Sequence, residues 1–194
     1  MPYALAPERL EQIEAEYRKI AYPFLLVDEA RRAAGREGDP EMVYGTTPAS
    51  AVLQLLEFAT ATSEDIFYDL GCGLGVPTVV AAHFCKRSIG IEILPEVAQR
   101  AREVAEGLQL ANATFEVTDF KRADLSEGTF IYCYSTCLAA QSRAELAEGI
   151  SKTRAGTRVL TVTHNLEHAS LEMKESREMN WEGSRRTVYL HVRR

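Results

Sequence analysis

Asp69 is followed by three glycines at alternate positions, Gly71, Gly73 and Gly75, with Cys72 between the first two. Glycines so spaced let the chain turn where a Cβ would block either the turn or a ligand's approach. The aromatic-rich apolar run Ile66–Leu70 before them has the pattern of a buried strand. The alanine- and valine-rich run at 76–84 has the pattern of a helix, with Pro77 where a first turn tolerates proline. Strand, glycine turn and helix bring backbone N–H groups and a helix N-terminus against a nucleotide-type ligand. The dinucleotide fingerprint G-x-G-x-x-G/A is not met, because Val76 stands at the third small position counted from Gly71.

Two more acids stand at expected strand ends. Glu92 closes a strand over 88–92, about 20 residues beyond Asp69, the spacing at which an acid accepts the ribose hydroxyls of an adenosine. Asp119 follows a strand over 113–118 and is placed to meet an adenine amino group, with Phe120 available to stack on the ring. Either acid alone reads as a solvated strand end. Both together, beside a glycine turn on the neighbouring strand, describe a nucleoside site.

These residues need a scaffold. Residues 7–20 form an amphipathic helix with Leu10, Ile13, Tyr17 and Ile20 at helical spacing, and Tyr22-Pro23-Phe24 should break it. A second helix is expected over about 28–34, ended by Gly35 and the Gly38-Asp39-Pro40 turn. Residues 1–42 are thus expected as a helical cap on the substrate side of a core at 43–194, in one domain. Thr47 is a plausible N-cap with Pro48 at the first helical position, while the Thr46 and Thr47 hydroxyls beside Gly45 could equally reach a polar ligand. Further strands are expected at 129–134 and 158–163, and helices from Pro95 to near Gly107 and over 141–151. Such βα alternation gives a parallel sheet with right-handed crossovers and ligands at the strand C-termini. The tail breaks the rhythm: 171–179 and 186–192 read as antiparallel strands around Trp181-Glu182-Gly183-Ser184, flanking the fifth strand.

The Asp-x-Gly-x-Gly-x-Gly run resembles motif I of the class I S-adenosylmethionine methyltransferases. Tyr44-Gly45-Thr46-Thr47, the stretch from Phe67 to Gly73, Gly90-Ile91-Glu92, Asp119-Phe120 and the tail's Trp181-Glu182-Gly183 and Tyr189-Leu190-His191 extend the likeness. Together they resemble the non-SET histone lysine methyltransferases of the disruptor-of-telomeric-silencing type, over about 43–194. The resemblance implies an α/β, Rossmann-like seven-stranded sheet, mostly parallel, with a C-terminal antiparallel β-hairpin. It implies S-adenosylmethionine as cofactor, bound among Thr46, Thr47, Asp69, Gly71, Cys72, Gly73, Gly75, Glu92, Asp119, Phe120 and Tyr134. Tyr44 and Thr47 would close over it, and Trp181 would help line a narrow channel for a lysine side chain. Of the four histidines only His164, near the end of the fifth strand, is placed to act as a base. The chain departs from the family at three points: Thr46 replaces a glutamate, Tyr134-Ser135 replaces paired asparagines, and Val188 replaces a tyrosine that faces the lysine. The family's basic nucleosome-binding extension has no counterpart.

Bulk properties narrow the partners. The net charge is −6 and the basic clusters are small, so no grip on duplex nucleic acid is expected, and the acceptor should be a protein or a small molecule. The four cysteines form no C-x-x-C pair and read as reduced thiols of a cytoplasmic protein. No apolar run is long enough for a membrane span, and Met1-Pro2-Tyr3-Ala4 does not open a signal peptide. Methyl transfer is an in-line displacement that calls for positioning and desolvation, with no metal or covalent nucleophile. The expected activity is transfer to an amine, first a protein lysine; a small metabolite as acceptor, or a non-catalytic cofactor-binding module, are the alternatives. The oligomeric state is left open.

Overall fold

A computed structural model describes residues 3–181 and 183–194. Its seven-stranded sheet comprises β1 (Ile66–Leu70), β2 (Arg87–Glu92), β3 (Ala113–Val117), β4 (Phe130–Cys133), β5 (Arg158–Val162), β6 (Leu171–Trp181) and β7 (Ser184–Arg193), in the order β3-β2-β1-β4-β5-β7-β6. The first five strands pair in parallel, while β7 runs antiparallel to β5 and β6 antiparallel to β7. The strand order reverses between β1 and its neighbour β4, so a crevice opens at the carboxyl ends of these two strands.

Alternation within the strands divides the core into two layers. Phe67 of β1, Phe130 and Tyr132 of β4 and Leu160 of β5 point to one face. There they meet α3 (Ala49–Phe58) and α4 (Val76–Ala81). Tyr68, Leu70, Ile131 and Val159 point to the other face and meet α6 (Ala140–Ser151). The remaining helices are α1 (Pro7–Arg18), α2 (Pro23–Ala33) and α5 (Pro95–Gly107). Ile13 of α1 lies in the main core, and Val27 and Ala30 of α2 pack with Leu94 and Val97 at the start of α5. The Tyr17 hydroxyl donates to the Leu74 carbonyl at 3.1 Å, tying α1 to the glycine turn.

Three local expectations are corrected. The second helix begins at Pro23, because proline at a first helical position starts a helix; the corner before it is Tyr22, in the left-handed region at φ 51°. Thr47 does not cap α3: Pro48 flanks that helix without a side-chain cap, and the Thr47 hydroxyl bonds to that of Tyr132 instead. Trp181 is the last residue of β6 and not part of the hairpin connection, since the ladder continues to its pairing with Ser184. Among the described residues, no helix is long and apolar enough to cross a membrane.

Candidate active site

The glycine turn after β1 is pinned to β2, whose Ile91 carbonyl accepts from both Gly71 and Cys72 N–H at 2.9 Å. Gly71 and Gly73 have φ of +74° and +55°, which side chains rarely adopt. A Cβ on Gly73 would lie 2.9 Å from the Tyr44 ring, whereas one on Gly71 would project into open space. Tyr44 therefore lies directly on the turn, and Gly71 leaves room for a ligand.

That room is a cavity of about 320 Å³, within the ~300–1,000 Å³ of small-molecule clefts. Glu92, Asp119 and Phe120 line it from the ends of β2 and β3, and Glu41 and Tyr44 from the segment before α3. Glu92 is buried, which raises its carboxyl's pKa; backbone N–H groups pull the other way. Its Oε2 accepts from Gly73 N–H and its Oε1 from Leu94 N–H, each at 2.9 Å. Each oxygen keeps a second lone pair, so the carboxylate can accept both hydroxyls of a ribose. Asp119 accepts from the Lys121 N–H at 3.0 Å, which fixes the turn after β3.

A smaller cavity of about 30 Å³ adjoins it, lined by Thr46, Thr47, Asp69, Cys72, Gly75 and Tyr132 among others. Asp69 is buried, and burial pushes its carboxyl up to about 7, with Glu92 adding to the rise and the Thr78 hydroxyl, donating at 2.8 Å, opposing it. The Thr47 and Tyr132 hydroxyls bond to each other at 2.9 Å. Tyr44, Gly45, Gly71 and Tyr134 line both cavities, so these residues stand where the two meet.

The fold thus brings twelve of the residues singled out from the sequence to these two cavities: Tyr44, Thr46, Thr47, Asp69, Gly71, Cys72, Gly73, Gly75, Glu92, Asp119, Phe120 and Tyr134. Two stand apart. Trp181 is buried behind Tyr134, its ring edge-on to the phenol at 6.5 Å, and its indole N–H finds no hydrogen-bond partner among the described residues. His164 lies beyond the left-handed turn at Thr163, φ +77°, where its carbonyl accepts from the Thr161 hydroxyl at 2.7 Å; it lines neither cavity. Two of the lining residues, Tyr132 and Glu41, were not singled out from the sequence. Tyr132 is foreseeable, since alternation along β4 puts it on the same face as Tyr134. Glu41 carries no local signal.

The glycine cradle with space at Gly71, a buried carboxylate at Glu92 with lone pairs left to accept a diol, and a buried acid at Asp69 fit S-adenosylmethionine. With the sheet order they define a class I S-adenosylmethionine-dependent methyltransferase. The model of the family described as histone methylation protein DOT1 matches residues 33–191, and the chain belongs to that family. A protein-lysine N-methyltransferase of Saccharolobus islandicus is 31% identical over 160 residues, covering 79% of this chain and 94% of that protein. A 23S rRNA (uracil(1939)-C(5))-methyltransferase of Shewanella frigidimarina is 33% identical over 132 residues, but the chain spans only 29% of it. Among solved structures, an RNA methyltransferase from Salinibacter ruber in complex with S-adenosylhomocysteine superposes with a TM-score of 0.64 at 29% identity, over 76% of this chain and 93% of that one.

Proposed function

We propose that this methyltransferase acts on an amine, and that the amine is a lysine side chain of a protein. The carrying observation is that two aromatic residues, Tyr44 and Tyr134, line both cavities where they adjoin. The bound cofactor supplies a methyl group on a sulfonium, already activated for displacement. What remains for the chain is to bind, orient and dry the acceptor. Aromatic walls strip water from an incoming ammonium, which favours its neutral, nucleophilic form. They also hold a slender alkyl amine in line, where positioning lowers the barrier. His164 needs no part in this. Glu92, Asp119 and Phe120 hold the nucleoside end, and Asp69 with Thr46 and Thr47 the amino-acid end. The likeness to a protein-lysine N-methyltransferase over nearly its whole length supports the same acceptor, and a net charge of −6 suits a basic protein.

RNA is the second reading, favoured by the 29% identity to a structure described as an RNA methyltransferase. The lack of a basic stripe in the sequence weighs against it. Incubation of the chain with methyl-labelled S-adenosylmethionine and separate acceptors decides between them: a lysine-rich protein, the same protein with its lysines blocked, small amines, and ribosomal RNA. Label is expected in the unblocked protein, recovered as Nε-methyllysine. Label in RNA alone, or in small amines alone, overturns the lysine reading. Binding of S-adenosylhomocysteine with no label in any acceptor would point to a non-catalytic module.

A further inference from the structure

Tyr134 shares both cavities, yet what holds it lies outside them. Its phenolic oxygen accepts from Arg186 Nε at 2.7 Å. The guanidinium carbon of Arg186 sits 5.9 Å from the centroid of the Trp181 ring, and that ring meets Tyr134 edge-on. The three side chains come from the end of β4, the end of β6 and the start of β7, and so link the closing hairpin to the cavity junction. Arg186 itself lines neither cavity.

The bond has a directional consequence. A hydrogen bond from a charged donor is roughly twice as strong as a neutral one, and a planar guanidinium resting on an aromatic face keeps its heading. Once the phenolic oxygen accepts from Arg186, its own proton must point away from the guanidinium. The ring is thereby held in one orientation, with the O–H free to donate to a group at the junction. Without that tether the hydroxyl loses its fixed heading.

We propose that Arg186 is a positioning residue for methyl transfer, acting through Tyr134. It holds the ring and hydroxyl of Tyr134 at the place where the acceptor is aligned, and takes no part in binding the cofactor. This rests on the reading of the junction as the acceptor's place. It gives Trp181 the role of a platform for Arg186, reached from behind the site.

The test uses Arg186→Gln, Arg186→Lys, Tyr134→Phe and the double variant Arg186→Gln/Tyr134→Phe. Three quantities are measured on each: the S-adenosylhomocysteine dissociation constant by calorimetry, kcat and KM with whichever acceptor the wild type labels, and the emission of Trp181. That emission is a clean reporter, since the chain has one tryptophan. Expected are a cofactor affinity within about twofold of wild type for the Arg186 variants, and a fall in kcat of about tenfold or more for each single variant. The double variant should be no slower than the slower single one, because both break the same link. Lysine should not rescue, having no planar fork, and Trp181 emission should change in every variant. Losses that multiply in the double variant would overturn the proposal. So would cofactor affinity falling as far as kcat in an Arg186 variant, or full kcat in Arg186→Gln. Because the kinetics follow the acceptor found experimentally, an RNA or metabolite acceptor would sink the lysine reading while this series still tested Arg186 in its own right.

Discussion

At the residue scale, Asp69 combines burial with the proposed role of meeting the cofactor's ammonium. Its carboxyl titrates at about 7 in the folded protein and at an ordinary 3.8 in the unfolded chain. Between those values the folded state binds more protons, so stability falls as pH rises from about 4 to 7 and stays lower above that. An ammonium brought to the small cavity would hold the carboxylate ionised and recover part of that cost. Asp69→Asn removes the titration. The variant should gain on wild type by up to roughly 4 kcal/mol above pH 7 and by nothing at pH 4 or below. It should also bind S-adenosylhomocysteine more weakly. Urea melts at pH 4 and pH 8 check the first part; an equal difference at both would mean that Asp69 is not the group responsible.

At the element scale, the segment between α2 and α3 is fastened across the larger cavity by Glu41. Its Oε1 accepts from Ala139 N–H and its Oε2 from the Ser142 hydroxyl, each at 2.7 Å. Ala139 opens α6, which has no side-chain cap of its own, so Glu41 caps that helix from 98 residues away. Lys121 braces the link by donating to the Ser142 hydroxyl at 2.8 Å. A strap latched at one carboxylate should govern how fast the cavity opens. Glu41→Gln keeps the shape but cannot accept two N–H or O–H bonds at both ends. We expect it to cost about 1 kcal/mol of stability and to speed S-adenosylhomocysteine release several-fold. Stopped-flow displacement measures the release, and an unchanged rate would show that the strap does not gate the cavity.

For the whole molecule, the question is whether the N-terminal helices are a cap laid on the core or a part of it. Ile13 of α1 is 1% exposed and belongs to the main core, where α1 lies against α5. Ile13→Ala should therefore cost about 2–5 kcal/mol, the range for emptying a buried aliphatic site. Unfolding should remain one cooperative transition, because α1 shares the core it stabilises. Two separated transitions on thermal melting, with the main one unmoved, would make residues 1–42 an independent layer.

Much of this was legible in the chain before any tertiary contact was known. Ile66–Leu70, the glycines after Asp69 and the acids at 92 and 119 are local patterns, and strand, turn and helix follow from neighbours within a few residues. The five parallel strands and the closing hairpin followed from the same periodicities. What depended on contacts between distant residues was not readable. Pro23 could break or begin a helix, and the packing of α2 on α5 decided that it begins one. Thr47 could cap α3 or reach a polar ligand; it does not cap the helix, and its hydroxyl meets that of Tyr132, 85 positions away, beside the small cavity. Trp181 was expected in the hairpin connection, and ten-residue pairing with β7 carried it to the end of β6. The links from Arg186 to Tyr134 and from Glu41 to α6 join side chains with no shared local pattern. Helical and strand periodicity fix which way a side chain faces its own element; only the packing of elements against one another decides what it meets there.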